Sequence, residues 1–198
     1  MKIENLFPTP VAFFKLEGGL TKDEVAFIKS QEQRPNTGNT TSKDNYLFKC
    51  PEMKRVVKFV DSCLSEYMTA IHAPKHKVKP YITQSWANYT KPGQYHHKHA
   101  HPNSFISGCV YIAAKGDKIF FYRDTYQTIK LTTENYNPYN SESWWFEVNE
   151  GDVILFPSSL THMVETLGQG QEERISIAFN TFLKGTIGGA DELTELEI

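Results

Sequence analysis

Apolar positions in the first third of the chain recur at helical spacing. Thr21-Lys22-Asp23-Glu24 has the form of a capping box, in which the Thr21 hydroxyl accepts from the Glu24 amide and the Glu24 carboxylate accepts from the Thr21 amide. Leu20 and Val25 are placed as its hydrophobic staple, so a first helix is predicted to start there. The polar run from Arg34 to Asn45 reads as a loop. A second helix is predicted from Pro51, a residue tolerated at a first helical position because its missing N–H would be unpaired there. Val56, Val60, Cys63, Leu64, Tyr67 and Ile71 make one apolar stripe, which ends before Pro74.

From Tyr81 onward the period shortens. ITQSWANY, SGCVYIAA, KIFFY, WWFEV, DVILFP and RISIAFNTF are β-branched or aromatic runs separated by Gly, Pro and Asn, the pattern of short strands in a sandwich or barrel. Residues 123–143 are polar but carry Tyr126, Tyr136 and Tyr139, and read as an inserted lid or recognition loop. The Gly-rich, acidic end reads as a partly mobile tail. The expected plan is one mainly β domain with N-terminal helices. Residues 1–79 form an N-terminal strand and helical support, 80–183 the strand core around the 123–143 insertion, and 184–198 the tail.

Composition narrows the partners. The 198 residues carry 21 basic and 23 acidic side chains, a formal charge of -2, so no basic excess draws the chain to nucleic acid. No apolar run approaches the roughly 20 residues that span a bilayer, and Glu4, Asn5, Pro8 and Pro10 interrupt any secretion-signal core. Cys50, Cys63 and Cys109 are odd in number without CxxC spacing, which fits reduced thiols in the cytoplasm.

Five of the seven histidines fall in two places: His96, His97, His99 and His101 in one segment, and His162 after DVILFP. Strand alternation puts His97, His99 and His101 on one face, with His96 and Lys98 on the other. Two imidazoles two residues apart can hold one metal from adjacent corners, and His162 is the obvious distal ligand. Imidazole suits iron, zinc, copper or nickel alike. Twelve residues beyond His162, Arg174, Ser176 and Ala178 alternate with the core residues Ile175, Ile177 and Phe179. A guanidinium facing inward needs an anionic partner, and its fork matches a carboxylate.

Leu6-Phe7-Pro8-Thr9-Pro10-Val11, His99-Ala100-His101-Pro102-Asn103-Ser104 running on to Ser107-Gly108-Cys109-Val110-Tyr111, and Gly151-Asp152-Val153-Ile154-Leu155-Phe156-Pro157 with His162 and Arg174-Ile175-Ser176 together resemble the 2-oxoglutarate–iron(II) oxygenases related to prolyl 4-hydroxylases, of the kind found in marine bacteria and their phages. The resemblance implies a double-stranded β-helix, a jelly-roll or cupin-like barrel. It implies iron(II), 2-oxoglutarate as co-substrate, and hydroxylation of a C–H bond with release of succinate and carbon dioxide. Gly93 and Tyr89 stand six and ten residues before His99, as in the prolyl-hydroxylase pattern. By that pattern His99 and His162 are iron ligands and Arg174, with Ser176, grips the far carboxylate of the co-substrate. Tyr89 and Tyr111 match pocket-lining phenols. His101 stands where the pattern has Asp or Glu; either it is the third ligand or a carboxylate such as Asp124 enters from elsewhere. Trp144 and Trp145 could shape a substrate groove or be packing. The nearest relatives act on peptidyl residues, which favours a protein or peptide substrate over a small molecule. A homodimer is left open, as is the host cytoplasm for a phage-encoded chain.

Two other readings compete. Gly93-x5-His99-x-His101 and Gly151-x5-Pro157 with His162 also resemble cupin motifs, whose three-histidine members include dioxygenases that need no keto acid. The cupin glutamate is missing, with Phe105 and Ile106 in its place, and Arg174 would have no task. The other is a β-sandwich binding module that recognises sugar or protein through aromatics, with incidental histidines.

Overall fold

In a computed structural model, which describes residues 1–123, 129 and 131–198, the strands form two facing antiparallel sheets. In chain order the elements are β1 (Ala12–Lys15), α1 (Lys22–Lys29), β2 (Gln33–Pro35), β3 (Thr40–Ser42), α2 (Lys54–Tyr67), β4 (Val78–Thr90), β5 (His96–His99), β6 (Ile106–Ala113), β7 (Asp117–Tyr122), β8 (Ser143–Val148), β9 (Asp152–Pro157), β10 (His162–Val164), β11 (Arg174–Ile187) and β12 (Leu196–Glu197). The larger sheet runs β1-β9-β6-β11-β4-β3-β2, with β12 also paired to β11, and the smaller runs β5-β10-β7-β8. This is the expected double-stranded β-helix. The two sheets face each other without closing into one hydrogen-bonded barrel, the one respect in which the barrel expectation is corrected.

Helix α1 begins where the capping box predicts. Thr21 Oγ1 accepts from the Glu24 amide at 3.2 Å, and Glu24 Oε2 accepts from the Thr21 amide at 2.8 Å. Glu24 also accepts two bonds from Arg55, which ties α1 to α2. The stripe of α2, Val56, Val60, Cys63, Leu64 and Tyr67, lies on the outer face of the larger sheet against Ala87, Tyr89, Val110, Ile175, Ile177 and Phe179. Inside, Tyr111, Ile154 and Phe156 of the larger sheet meet Ile119, Phe121 and Val148 of the smaller in a second cluster. That cluster fills one end of the space between the sheets, and polar side chains occupy the other.

Three expectations change. The polar stretch read as a loop contains the β2–β3 hairpin, stitched to β4 through Thr40–Tyr89 and Thr41–Asn88. Strand β4 starts at Val78, ahead of Tyr81. The tail expected to be partly mobile returns to pair Leu196 with Ile187. Among the described residues no helix is long and apolar enough to cross a membrane.

Candidate active site

Strands β5 and β10 run antiparallel with His99 directly opposite His162. His101 follows β5, and its amide donates to the Ser158 carbonyl at 2.9 Å, which pins it beside the pair. The ligand nitrogens of His99, His101 and His162 all lie within 4.8 Å of one another. His99 Nδ1 is 2.7 Å from the His97 carbonyl oxygen and His162 Nδ1 is 3.0 Å from that of Leu160. A carbonyl only accepts, so each Nδ1 carries the proton and each Nε2 lone pair is free. Burial first, then the neighbouring imidazoles, depresses the pKa of His162 to about 3 and that of His101 to about 4; burial also lowers that of His99. All three are therefore neutral near pH 7, the form that ligates a metal.

A β-bulge alters the alternation expected for the other histidines. Between the pairs His162–His99 and Val164–His96, β10 advances two residues and β5 three. The extra residue turns His96 to the side of His99, where the rings stack at 4.8 Å, instead of to the opposite face. Burial pushes the His96 pKa down to about 2, with His99, His97, Arg174 and His162 adding repulsion. His96, His97 and His99 thus form a second group with ligand spacing. Both groups draw on His99, whose Nδ1 is already engaged, so they cannot each hold an ion at once.

Across the gap, Arg174 projects from β11 and is 3% exposed. Its Nη2 donates to Thr90 Oγ1 at 3.1 Å, and among the described residues no carboxylate lies within ion-pair distance. Ser176 is buried on the same face. Tyr111 lies opposite Ser176 on β6, inside the sandwich as expected, and burial raises its phenol pKa well above the ordinary value. Tyr89 is a correction. It pairs with Ile175, one residue out of phase with Arg174, so it faces the helices, and its hydroxyl donates to the Ile28 carbonyl at 2.6 Å.

Residues 84–180 match the family model described as "Putative 2OG-Fe(II) oxygenase". Over that span the chain is similar to this family. Iron(II) and 2-oxoglutarate are the two agents that give the family its name. No curated protein matches the chain. Among solved structures it is similar to a 2OG-Fe(II) oxygenase family oxidoreductase from Burkholderia pseudomallei, with TM-score 0.58, 13% identity, and 86% of this chain and 83% of that one covered. It is similar to HygX from Streptomyces hygroscopicus with nickel and 2-oxoglutarate bound, with TM-score 0.60, 14% identity, and coverage of 87% and 82%. It is also similar to a Pseudomonas putida prolyl-4-hydroxylase, with TM-score 0.54, 13% identity, and coverage of 87% and 92%. At such identities the likeness is one of fold.

The donor set of the site fits the two agents. Three converging neutral imidazoles suit iron(II), and an unpaired buried guanidinium suits a carboxylate. Sequence reasoning missed several neighbours. Thr90 holds Arg174, and Asn88 on the same face is buried with its amide oxygen unpartnered. Beside the histidines opens a cleft of about 260 Å³, lined by Arg34, Asn36, Asn45, Gln84 and Trp86. Only a register could have assigned these residues to the inner face, since none is unusual in its local sequence. A larger cavity of about 670 Å³, between α2 and the first half of β4, contains no histidine. Trp145 is exposed beneath the Lys118 ammonium, and Trp144 lines a separate pocket with Tyr136. Asp124 and Tyr126 lie outside the described residues.

Proposed function

We propose that this oxygenase hydroxylates a C–H bond of a polar substrate, with His99, His101 and His162 holding iron(II) and Arg174, aided by Ser176, holding the distal carboxylate of 2-oxoglutarate. The observation that carries the reading is the buried Arg174, bonded to a neutral hydroxyl and close enough to repel a charge on His96, whose ring stacks on His99 of the three convergent imidazoles. Burying an unpaired guanidinium is costly, and a dicarboxylic acid that spans from metal to arginine removes that cost.

The overall balance is substrate C–H, oxygen and 2-oxoglutarate going to C–OH, succinate and carbon dioxide. When bound, iron and the keto acid supply the oxidant. The protein's residues orient and exclude. Nδ1–H bonds to the carbonyls of residues 97 and 160 fix the His99 and His162 rings. Arg174 and Ser176 set the direction from which the keto acid meets the metal. Phe121 and Phe156, packed around His162, keep water from its inner side. With three neutral ligands, the doubly charged cation, the dianionic co-substrate and the Arg174 guanidinium sum to one positive charge, whereas a carboxylate ligand would make the site neutral.

The cleft beside the histidines presents one guanidinium, three amides and an indole, which favours a substrate rich in hydrogen-bonding groups. A peptide segment fits that description, and the similarity to a prolyl-4-hydroxylase supports it. A polar small molecule fits too, and HygX has been seen with hygromycin B. The unpaired cysteines and near-neutral charge favour action as a single domain in the cytoplasm, away from nucleic acid. Anaerobic addition of 2-oxoglutarate to the iron(II)-loaded protein tests the core of the reading. A visible charge-transfer band is expected, because it requires keto acid and metal to meet. Metal binding without that band would sink it.

A further inference from the structure

The β2–β3 hairpin, which supplies Arg34 and Asn36 to the cleft wall, is connected to Arg174 by a chain of side-chain hydrogen bonds. Arg174 Nη2 donates to Thr90 Oγ1 at 3.1 Å, Asn39 Nδ2 donates to the same oxygen at 3.4 Å, and Asn36 Nδ2 donates to Asn39 Oδ1 at 2.9 Å. Thr90 and Asn39 are buried, at 0% and 4% exposure, so water does not compete for these bonds. The hairpin tip is also seated on the histidine strand. The Gly38 carbonyl accepts from the Tyr95 amide at 3.1 Å, and the Thr37 carbonyl is 3.4 Å from His97 Nδ1. Gly38 has φ +89°, and a Cβ there would stand 2.6 Å from the Tyr95 carbonyl oxygen, so the seat leaves no room for a side chain.

We propose that Asn39 is a positioning residue: by fixing the Thr90 hydroxyl that holds Arg174, it ties the cleft wall built by the hairpin to occupation of the co-substrate site. The inference rests on Arg174 as the co-substrate's anchor. A threonine hydroxyl free to rotate can present its proton or its lone pairs, and only the lone pairs serve Arg174. Donation from Asn39 selects that orientation. When a carboxylate locks the guanidinium, the lock passes to Thr90, to Asn39 and so to Asn36, and the hairpin loses mobility at the place where substrate enters.

The test uses iron(II)-loaded protein under anaerobic conditions with 2-oxoglutarate as the probe. Hydrogen exchange across residues 36–41 is expected to slow several-fold on adding 2-oxoglutarate to the native protein, and to be unchanged by it in Asn39→Ala. Asn39→Ala is expected to bind 2-oxoglutarate about fivefold more weakly, the usual weight of one hydrogen bond, at undiminished iron(II) affinity. Thr90→Ser, which keeps the hydroxyl, should retain co-substrate affinity, and Thr90→Val should lose it. Should hairpin exchange in the native protein ignore the co-substrate, the coupling is wrong whatever the variants do. Equal losses of iron and co-substrate in Asn39→Ala overturn it as well, since they mark general damage. Failure of the native protein to bind 2-oxoglutarate is a different result, and removes the functional reading beneath.

Discussion

Arg174 is the residue at which charge, burial and geometry disagree most with a purely structural role. Replacing it with leucine removes a buried cation whose only bonded partner among the described residues is a threonine hydroxyl, so the apoprotein has little to lose. The co-substrate, in contrast, loses the partner of a carboxylate. Arg174→Leu is expected to weaken 2-oxoglutarate binding by at least about 30-fold, the low end for breaking a buried charge pair, with iron(II) affinity nearly unchanged. Anaerobic titration reads both; a matching fall in metal affinity would count against the anchor role. The imidazoles make a second prediction, about pH. His162 titrates at about 3 in the fold against an ordinary 6.5, so below 6.5 the unfolded chain takes up a proton that the folded, metal-free protein refuses. This stability is complete above 6.5 and is lost as pH falls towards 3. At about pH 5 the loss from His162 is on the order of 2 kcal/mol, and urea unfolding of chelator-treated protein should show it, with a flatter profile in His162→Gln. Residues whose chemistry is odd for their setting were readable from the chain: a paired imidazole motif, a distal histidine, an arginine in an apolar strand. The face taken by Tyr89 was not readable, because it depends on which residue of β11 it meets.

At the level of elements, sequence patterns succeeded where apolar residues repeat and failed where the ladder is polar. The inward and outward faces of β11 and the α2 stripe rest on hydrophobic period and are found as expected, except that Ile71 falls beyond α2 and is exposed; the capping box, a polar motif, is found as well. The β2–β3 hairpin is Gln-Arg-Pro paired with Thr-Thr-Ser, with no apolar face to betray it. The bulge in β5 is equally silent, since an inserted residue among four histidines changes no pattern, yet it moves His96 to the inner side. Close contact between strands is another feature with a sequence trace but no sequence proof. Gly108 on β6 has space for no side chain: a Cβ would meet Phe179 Cζ at 2.5 Å, the Ile154 carbonyl oxygen at 2.6 Å and Leu155 Cδ2 at 2.7 Å. The Phe179 ring can turn, but a sheet carbonyl cannot withdraw without breaking the β6–β9 ladder. Gly108→Ala should therefore destabilise by about 1–3 kcal/mol, visible in chemical denaturation as a lowered midpoint with the same slope.

For the whole molecule, the two cores divide the work. Helices on the outer face stiffen the larger sheet, the inner cluster sets the gap between sheets, and the open end of that gap holds the charged and ligating groups. Iron and an anion would improve the setting of these groups: neutral imidazoles crowd together, and among the described residues no carboxylate ion-pairs with the guanidinium. Binding should then return as global stability, because the ligands recognise the fold and not the unfolded chain. At about 100 times the dissociation constant each ligand adds about 2.7 kcal/mol. For a chain of 198 residues, about 2–4 °C accompanies each kcal/mol, so iron(II) should raise Tm by about 5–11 °C and 2-oxoglutarate should add a comparable step. The order of addition matters. If the keto acid bridges metal and Arg174, its step must shrink sharply when iron is absent, and must fall to about 1 kcal/mol or less in Arg174→Leu while the iron step persists. A 2-oxoglutarate step of equal size with and without iron would place the acid elsewhere on the protein, and would separate Arg174 from the chemistry of the three histidines.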